Sequence, residues 1–334
     1  LEPNGMLVVN SDAFKQSDLR KAGYESNPLE DGSLDGYQLI RVEMTRLTRA
    51  ALEELDLPAQ TVDRCKNFFA LGMMYHLYQR PLDYTLRWIE RKFAGREKLI
   101  QANHTALKAG YAFCEASELF VSTYEVPAAR LEPGTYRNVS GIQAMALGFV
   151  AASRKSGLKL FQGSYPITPA SDLLHELSKL KNFGVVTFQA EDEIAAIGSA
   201  IGAAFAGSLA LTSTSGPGMA LKGEFLALAT MVELPLVVVD VQRAGPSTGM
   251  PTKTEQSDLL PAIFGRFGES PCVVLAADTP SDGFEVAYEA CRLAVRHMTP
   301  VIVLSDGFIA SGAEPWKLPS LEQLPEIRAG QSLS

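Results

Sequence analysis

Residues Phe188–Gly218 read FQAEDEIAAIGSAIGAAFAGSLALTSTSGPG. The stretch continues a β-like run that starts at Gly184, passes three acidic residues and enters a long segment of small apolar residues. A second β-like run follows and ends in a loop of Ser, Thr and Gly. Two strands separated by a helix of small residues are typical of the alternating units that build a parallel sheet.

Three carboxylates, Glu191, Asp192 and Glu193, stand where this helix is predicted to begin. Acidic side chains in a first helical turn complement the helix dipole by about 0.3–1 kcal/mol, which is one explanation for Glu191 and Asp192. Glu193 differs because Ile197, one turn further on, places it beside the apolar face of the helix. A carboxyl group there is expected to stay protonated or to find a basic partner, and it could exchange a proton with a ring nitrogen of a bound heterocycle.

Composition and charge narrow the classes of protein to consider. A length of 334 residues suggests about two domains. With 46% hydrophobic and 20% charged residues, the chain can form a folded core. The formal net charge of −8 argues against nucleic acid and anionic membranes as partners, because phosphate binding needs a basic face.

Cysteine and histidine spacing gives no sign of a metal site in this chain. The four cysteines, Cys65, Cys114, Cys272 and Cys291, lie far apart without a CxxC pair, and the four histidines are isolated. This pattern predicts free thiols in a reducing cytoplasm. The uncharged run Ile194–Leu211 is rich in Ala, Gly and Ser and follows three acids, so a buried helix and strand are predicted there instead of a membrane span. No signal peptide is predicted.

The order of predicted elements divides the chain into parts. Residues 1–120 contain two short strands and a long helical stretch, and residues 121–139, with two prolines and a break in periodicity, are predicted to be a linker. In residues 140–318, continuous β-branched runs alternate with amphipathic helices, which predicts a doubly wound α/β domain with a parallel sheet covered on both faces. Residues 319–334 are assigned to a tail or to the start of a further domain.

Functional loops of such a domain lie beyond the carboxyl ends of its strands. Four loops of this kind are predicted, Gly163–Pro169, Ala190–Glu193, Ser213–Gly218 and Gln242–Thr254, and all except the acidic Ala190–Glu193 are rich in hydroxyl side chains. We expect them at one edge of the sheet, although each one alone could be an ordinary turn. Arg243 in the last loop has the planar guanidinium that binds a carboxylate in bidentate fashion; a salt bridge to a nearby acid is the alternative.

Common nucleotide-binding motifs are missing from the sequence: no GxGxxG follows a strand, and no GxxxxGK[ST] motif is present. The GxSxG pattern occurs only as GPSTG at residues 245–249, where no nucleophile elbow is predicted. Ser213–Gly216 could be a nucleophile loop, but no histidine lies in the neighbouring loops, so a hydrolase is disfavoured.

The assembled loops resemble the 2-oxoacid:ferredoxin oxidoreductases, specifically the α subunit of the 2-oxoglutarate-type enzymes with a fused γ-like domain. The similar blocks, between about Ser140 and Trp316, are YPITPASD, QAEDEIAAIGSAIGAAFAG, TSTSGPGMAL, ELPLVVVDVQRAGPSTGMPTKTEQSDL and SDGFIASGAEPW. Leu7–Ala116 resembles the later half of the γ domain, including RCKNFFALGMMYHLYQRPLDYTLRWIERKF. The Gly-rich opening of the γ domain and the domain that usually follows the EPW block are missing, so the chain is expected to be a fragment of the subunit.

This resemblance implies a pyrimidine-binding domain for thiamine diphosphate, preceded by a partial α/β γ-like domain. The α chain would hold the aminopyrimidine, and a β subunit would hold the diphosphate, Mg²⁺ and a [4Fe-4S] cluster. Glu193 matches the catalytic glutamate that contacts the pyrimidine ring nitrogen, with Pro166 and Ile167 as further cofactor contacts. The positions that match those holding the 2-oxoacid are Thr168, Arg243, Thr252 and, less closely, Lys253.

The activity implied by the resemblance is oxidative decarboxylation of 2-oxoglutarate or a related 2-oxoacid with coenzyme A. It yields acyl-CoA and CO₂ and passes electrons to ferredoxin. A cytoplasmic dimer of heterodimers, without nucleic acid or membrane, is expected. Two alternatives stay open: the pyrimidine domain of a transketolase-type or dehydrogenase-type thiamine diphosphate enzyme, and a non-catalytic α/β scaffold whose loops bind a small anion. Ile142 and Gln143 depart from the Asn and Glu that are common in the family after Ser140-Gly141, which leaves a polar role of that loop in question.

Overall fold

A computed structural model describes residues 2–266 and 268–329. The chain divides into two compact units, Leu1–Leu131 and Glu132–Ser334. The division falls inside the stretch predicted to be a linker. In the described part of the chain, no helix is both long enough and apolar enough to cross a membrane.

The first unit contains a two-stranded parallel sheet and several helices. Its elements are β1 (Met6–Asn10), α1 (Gln16–Lys21), β2 (Gln38–Val42), α2 (Met44–Ala51), α3 (Ala59–Leu77), α4 (Asp83–Lys92) and α5 (Glu97–Ser117). Helices α3 and α5 pack backbone to backbone because Gly72 and Gly110 have no side chain; a Cβ at either position would overlap a carbonyl oxygen of the other helix. Leu82 occupies the N-cap of α4, so Pro81 lies just outside this helix.

The second unit alternates strands and helices. Its elements are β3 (Tyr136–Ser140), α6 (Gly141–Ser156), β4 (Leu160–Ser164), α7 (Ser171–Ser178), β5 (Val186–Gln189), α8 (Glu193–Phe205), β6 (Leu209–Thr214), α9 (Pro217–Leu221), α10 (Gly223–Met231), β7 (Leu236–Gln242), α11 (Leu259–Phe264), β8 (Val273–Ala276), α12 (Asp282–His297), β9 (Pro300–Asp306), α13 (Gly307–Ser311) and β10 (Ala313–Lys317).

Six of these strands form one parallel sheet in the order β5-β4-β6-β7-β9-β8. Side chains alternate between its two faces: Val237 and Val239 pack on the side of α6, α7 and α12, while Leu236 and Val238 pack on the side of α8 to α11. Because helices cover both faces, apolar side chains are expected on both faces of the strands. The predicted doubly wound α/β fold is confirmed.

The structure differs from the predicted elements in places where long-range pairing decides the outcome. Strand β3 occupies residues assigned to the linker, because it pairs antiparallel with β10 from the far end of the unit. Helices α9 and α10 are separate, since Lys222 is the C-cap of α9 and the N-cap of α10. In the predicted tail, Leu324 and Ile327 pack into the core, and residues 330–334 lie outside the described residues.

Side-chain caps set the first residues of two helices. At α6, the hydroxyl of Ser140 accepts a hydrogen bond from the Gln143 backbone nitrogen at 3.4 Å, and the Gln143 side chain accepts one from the Ser140 backbone at 3.3 Å. This reciprocal capping box gives the loop at Ser140 a structural role. At α8, Asp192 accepts a hydrogen bond of 2.7 Å from the backbone of Ala195.

Candidate active site

The four predicted loops lie at one edge of the parallel sheet. Strands β4, β5, β6 and β7 run in the same direction and neighbour one another, so their carboxyl ends meet at that edge. The loops follow these ends after Ser164, Gln189, Thr214 and Gln242. This is the edge at which ligands bind in open α/β sheets.

The three acids at the start of α8 have different positions. Glu191 is exposed, and Asp192 is the N-cap, its carboxylate engaged by the backbone of Ala195. Glu193 is the first residue of the helix and is half-buried. Its side chain is therefore available for chemistry in a partly dry environment, whereas that of Asp192 stabilises the helix end.

The absence of a side chain at Gly218 allows Glu193 to lie against helix α9. A Cβ at Gly218 would be 2.8 Å from Glu193 Cγ and 3.2 Å from Glu193 Oε1, and it would overlap the Thr214 hydroxyl. Gly216, two residues earlier, has φ +39, a backbone conformation that favours glycine. The glycines of the TSTSGPG loop thus bring the backbone close to the Glu193 carboxyl group.

Lys222, which the sequence reasoning missed, is fully buried between α9 and α10. Its Nζ donates a hydrogen bond of 2.7 Å to the backbone carbonyl of Glu193. Burial lowers the pKa of this lysine to about 8, and the carboxylates of Glu193 and Asp192 act in the opposite direction. The signal in the sequence is a single cation inside the apolar run MALKGEFLALA.

Asp240 and Asp258 form a buried carboxyl pair that the sequence reasoning also missed. Asp240 is fully buried on β7, and its oxygens accept no hydrogen bond from described residues. Burial, followed by the charge of Asp258, raises the pKa of Asp240 well above its usual range, so Asp240 is the protonated partner. Burial also raises the pKa of Asp258, against the opposing hydrogen bonds from Asp240 and Gly216. An acid inside the β-branched run LPLVVVDVQ was the available signal.

Arg243 connects two of the loops at this edge. It is buried, and it donates hydrogen bonds from Nη1 to the Thr168 carbonyl at 2.7 Å and from Nη2 to the Thr248 carbonyl at 2.9 Å. Its Nε is buried without a partner among the described residues. The ion pairs of the described residues do not include Arg243, which disfavours the predicted alternative of a salt bridge to a nearby acid.

A pocket of about 360 Å³ lies at the same edge of the sheet. It brings together three of the residues predicted to bind substrate, Thr168, Thr252 and Lys253, and Gln242 and Phe308 also line it. Glu193, Arg243, Pro166 and Ile167 are not among its lining residues. Pro166 is exposed, and Ile167 packs against the core of the second unit.

Comparison with known families agrees with this geometry. Residues 154–332 match the family described as pyruvate flavodoxin/ferredoxin oxidoreductase, thiamine diphosphate-binding. This chain belongs to that family. Residues 1–113 match the family described as pyruvate ferredoxin/flavodoxin oxidoreductase. The resemblance found in the sequence is confirmed at this level, and it favours this family over a transketolase-type or dehydrogenase-type domain.

Curated relatives and a solved structure share most of this chain. It is 55% identical over 324 residues to 2-oxoglutarate oxidoreductase subunit KorA of Mycobacterium tuberculosis, covering 97% of this chain and 50% of the relative. It is 34% identical over 291 residues to 2-oxoacid:ferredoxin oxidoreductase 2, subunit alpha, of Aeropyrum pernix, covering 83% of this chain and 44% of the relative.

One structural neighbour is the 2-oxoglutarate:ferredoxin oxidoreductase from Magnetococcus marinus, solved with 2-oxoglutarate, coenzyme A and succinyl-CoA bound. The TM-score is 0.79 at 33% identity, over 98% of this chain and 53% of the neighbour. The chain thus spans about half the length of the proteins that it matches.

Proposed function

We propose that this chain is the site-bearing part of the α subunit of a thiamine diphosphate-dependent 2-oxoacid:ferredoxin oxidoreductase. The enzyme oxidatively decarboxylates 2-oxoglutarate, or a related 2-oxoacid, with coenzyme A to give acyl-CoA and CO₂, and it passes the electrons to ferredoxin. The observation that carries this proposal is the position of Glu193 beside Gly218, at the same sheet edge as the pocket of Thr168 and Thr252. In this assignment residues 140–318 form the pyrimidine-binding domain and residues 1–120 the γ-like domain.

The buried polar atoms of this edge fit thiamine diphosphate and an oxoacid. The hydroxyls of Thr214 and Ser215 and Nε of Arg243 are buried without partners among the described residues. Leaving such groups unsatisfied is unfavourable, so polar ligand atoms there would complete their hydrogen bonds. The backbone next to Gly218 leaves Glu193 within reach of a heterocycle lying against the loop.

Glu193 would hold a proton at the ring nitrogen of the aminopyrimidine, with Pro166 and Ile167 as further cofactor contacts. Thiamine diphosphate, when bound, supplies the nucleophilic carbon for decarboxylation of the 2-oxoacid. Thr168, Thr252 and Lys253 would hold the oxoacid in the pocket. Arg243, with its charge beside the Thr168 loop, would orient the carboxylate of the substrate.

Partner subunits complete the proposed enzyme. The relatives are named as α subunits, which supports a β subunit that holds the diphosphate, Mg²⁺ and a [4Fe-4S] cluster. We infer a dimer of such heterodimers, with ferredoxin as the electron acceptor. The free cysteines, Cys65, Cys114, Cys272 and Cys291, support a location in the reducing cytoplasm.

The substitution Glu193→Gln tests the proposed function. In the complete enzyme, loss of the exchangeable proton should lower the rate of CoA-dependent viologen or ferredoxin reduction by at least about 100-fold. Glu191→Gln, two residues earlier and exposed, is the matched control and should retain activity. Full activity of the Glu193→Gln enzyme would show that the assignment is wrong.

Calorimetry separates this proposal from a non-catalytic scaffold that binds only a small anion. The wild-type complex should bind thiamine diphosphate in the presence of Mg²⁺. An absence of binding, together with absence of activity, would favour the scaffold.

A further inference from the structure

Lys222 attaches the backbone of Glu193 to the junction of helices α9 and α10. Its ammonium group is fully buried, and its Nζ lies 2.7 Å from the carbonyl oxygen of Glu193. Because Glu193 is the first residue of α8, this hydrogen bond restrains the point from which its side chain emerges. Gly218 restrains the same residue from the other direction, since its Cα lies against the Glu193 carboxyl group.

Two carboxylates at the start of α8 act on the buried charge of Lys222, first that of Glu193 and then that of Asp192. Neither forms an ion pair with it within 4.0 Å in the described structure. Asp192 is already engaged as the N-cap of α8, and Glu224 on α10 is exposed to solvent. The main electrostatic partner of the Lys222 ammonium group is therefore Glu193.

A buried ammonium without a close ion-pair partner is a costly way to hold a helix end. Removing a charge from water is unfavourable, and an apolar side chain of similar length would be expected to stabilise the same site better. A structural role alone therefore gives a poor account of lysine at this position. A charge beside a carboxyl group that gains and loses a proton gives a better one.

We propose that Lys222 is a positioning residue for Glu193: it holds the first turn of α8 by its hydrogen bond and places a buried positive charge at the start of that helix. The inference rests on the proposed function, in which the Glu193 O–H bond breaks as an N–H bond forms on the pyrimidine ring. The carboxylate left by that transfer is the species that the ammonium stabilises.

Three variants separate the parts of this role. Lys222→Met keeps the length of the side chain but removes both the charge and the hydrogen bond. Lys222→Gln keeps an N–H donor without the charge. Lys181→Met removes an exposed lysine and is the matched control.

Thermal unfolding of the full-length subunit without cofactor gives a readout that is independent of activity. The folded-state pKa of Lys222 is about 8, below its ordinary 10.5, so the unfolded chain binds more protons between these values. The contribution of Lys222 to the free energy of unfolding is therefore least favourable below pH 8 and becomes more favourable as pH rises above 8. We expect Lys222→Met to unfold at a higher temperature than wild type below pH 8, with a difference that shrinks as pH rises through that value.

A double-mutant cycle with Glu193→Gln tests whether the two residues are coupled. Loss of the Glu193 carboxylate removes an attraction on the ammonium, so Lys222→Met should raise the unfolding temperature more in the Glu193→Gln background. Additive effects, or a lower unfolding temperature for Lys222→Met at every pH, would overturn the proposal.

The complete enzyme provides the second readout. Near-ultraviolet circular dichroism of bound thiamine diphosphate, recorded without substrate, reports the protonation of its ring. Lys222→Met and Lys222→Gln should both change this signal and lower kcat by about tenfold, or about 1.4 kcal/mol, with the KM for the oxoacid little changed.

A wild-type signal and kcat in Lys222→Gln would overturn the role of the charge. Failure of the wild-type enzyme to bind thiamine diphosphate would instead contradict the proposed function, and the stability cycle would still decide whether Lys222 and Glu193 are coupled.

Discussion

The buried carboxyl group of Asp240 interacts with that of Asp258, which in turn accepts a hydrogen bond of 3.1 Å from the backbone nitrogen of Gly216. Asp240 lies on the central strand β7, all of whose residues are buried, and Gly216 is the N-cap of α9, which contains Gly218. The pair therefore joins the sheet to the loop against which Glu193 lies. A single proton shared by the two buried carboxyl groups is sufficient for a hydrogen bond between them.

Asp240→Asn should be tolerated at neutral pH, because the amide is neutral and can donate to Asp258 as the protonated acid does. The pKa of Asp240 is raised in the folded state, so its contribution to stability is present at low pH and is lost as pH rises towards the folded value. The free energy of unfolding of Asp240→Asn, relative to wild type, should thus increase as pH rises above the ordinary range of an aspartate. Urea denaturation measures it.

Asp278→Asn, at an exposed position, is the control for the Asp240 experiment. The same pH dependence in wild type and in Asp240→Asn would contradict a protonated Asp240. Asp240→Leu should be less stable than Asp240→Asn, because it removes one of the hydrogen-bond donors to the buried carboxyl of Asp258.

Gly218→Ala should displace Glu193 without unfolding the domain. The added methyl group would lie 2.8 Å from Glu193 Cγ and would overlap the Thr214 hydroxyl, so both side chains must move. A misplacement of about 1 Å at a catalytic group can reduce the rate about 100-fold, and the crowding should cost about 1–3 kcal/mol of stability. Steady-state kinetics and urea denaturation measure the two effects.

Gly223→Ala is the matched control for Gly218→Ala. A Cβ at Gly223, in the first turn of α10, would meet no atom within 4 Å. This variant should keep full activity and gain a little stability, since alanine favours helix more than glycine does. Comparable losses of activity in both alanine variants would show that contact with Glu193 is not the cause.

Arg243→Met should raise the KM for the 2-oxoacid by about tenfold or more, because a charged hydrogen bond to a carboxylate contributes about 1.5–3 kcal/mol. The KM for coenzyme A should change less. Arg296→Met is the control, since Arg296 is exposed at the end of α12, where the chain enters the opposite edge of the sheet. An equal rise in both KM values would indicate that Arg243 acts only by joining the loops of Thr168 and Thr248.

Much of the fold was predictable because its strands are covered on both faces. A strand such as β7 is then apolar along most of its length, with Asp240 and Gln242 as exceptions, and this leaves β-branched runs in the sequence. The parallel direction of these strands also predicts that their loops gather at one edge. Elements that depend on partners far along the chain were missed, and β3 with its partner β10 is the example.

The site was predictable in part for a related reason. The sequence alone determined that an acidic triplet precedes a helix of small residues, and that hydroxyl-rich loops surround it. Only the tertiary structure decided which acid is which: Asp192 caps α8, whereas Glu193 lies beside Gly218. Lys222 is a neighbour of Glu193 that stands 29 positions away in the chain. Whether a buried charge is paired, protonated or directed at a site depends on such distances in space, which the order of residues does not contain.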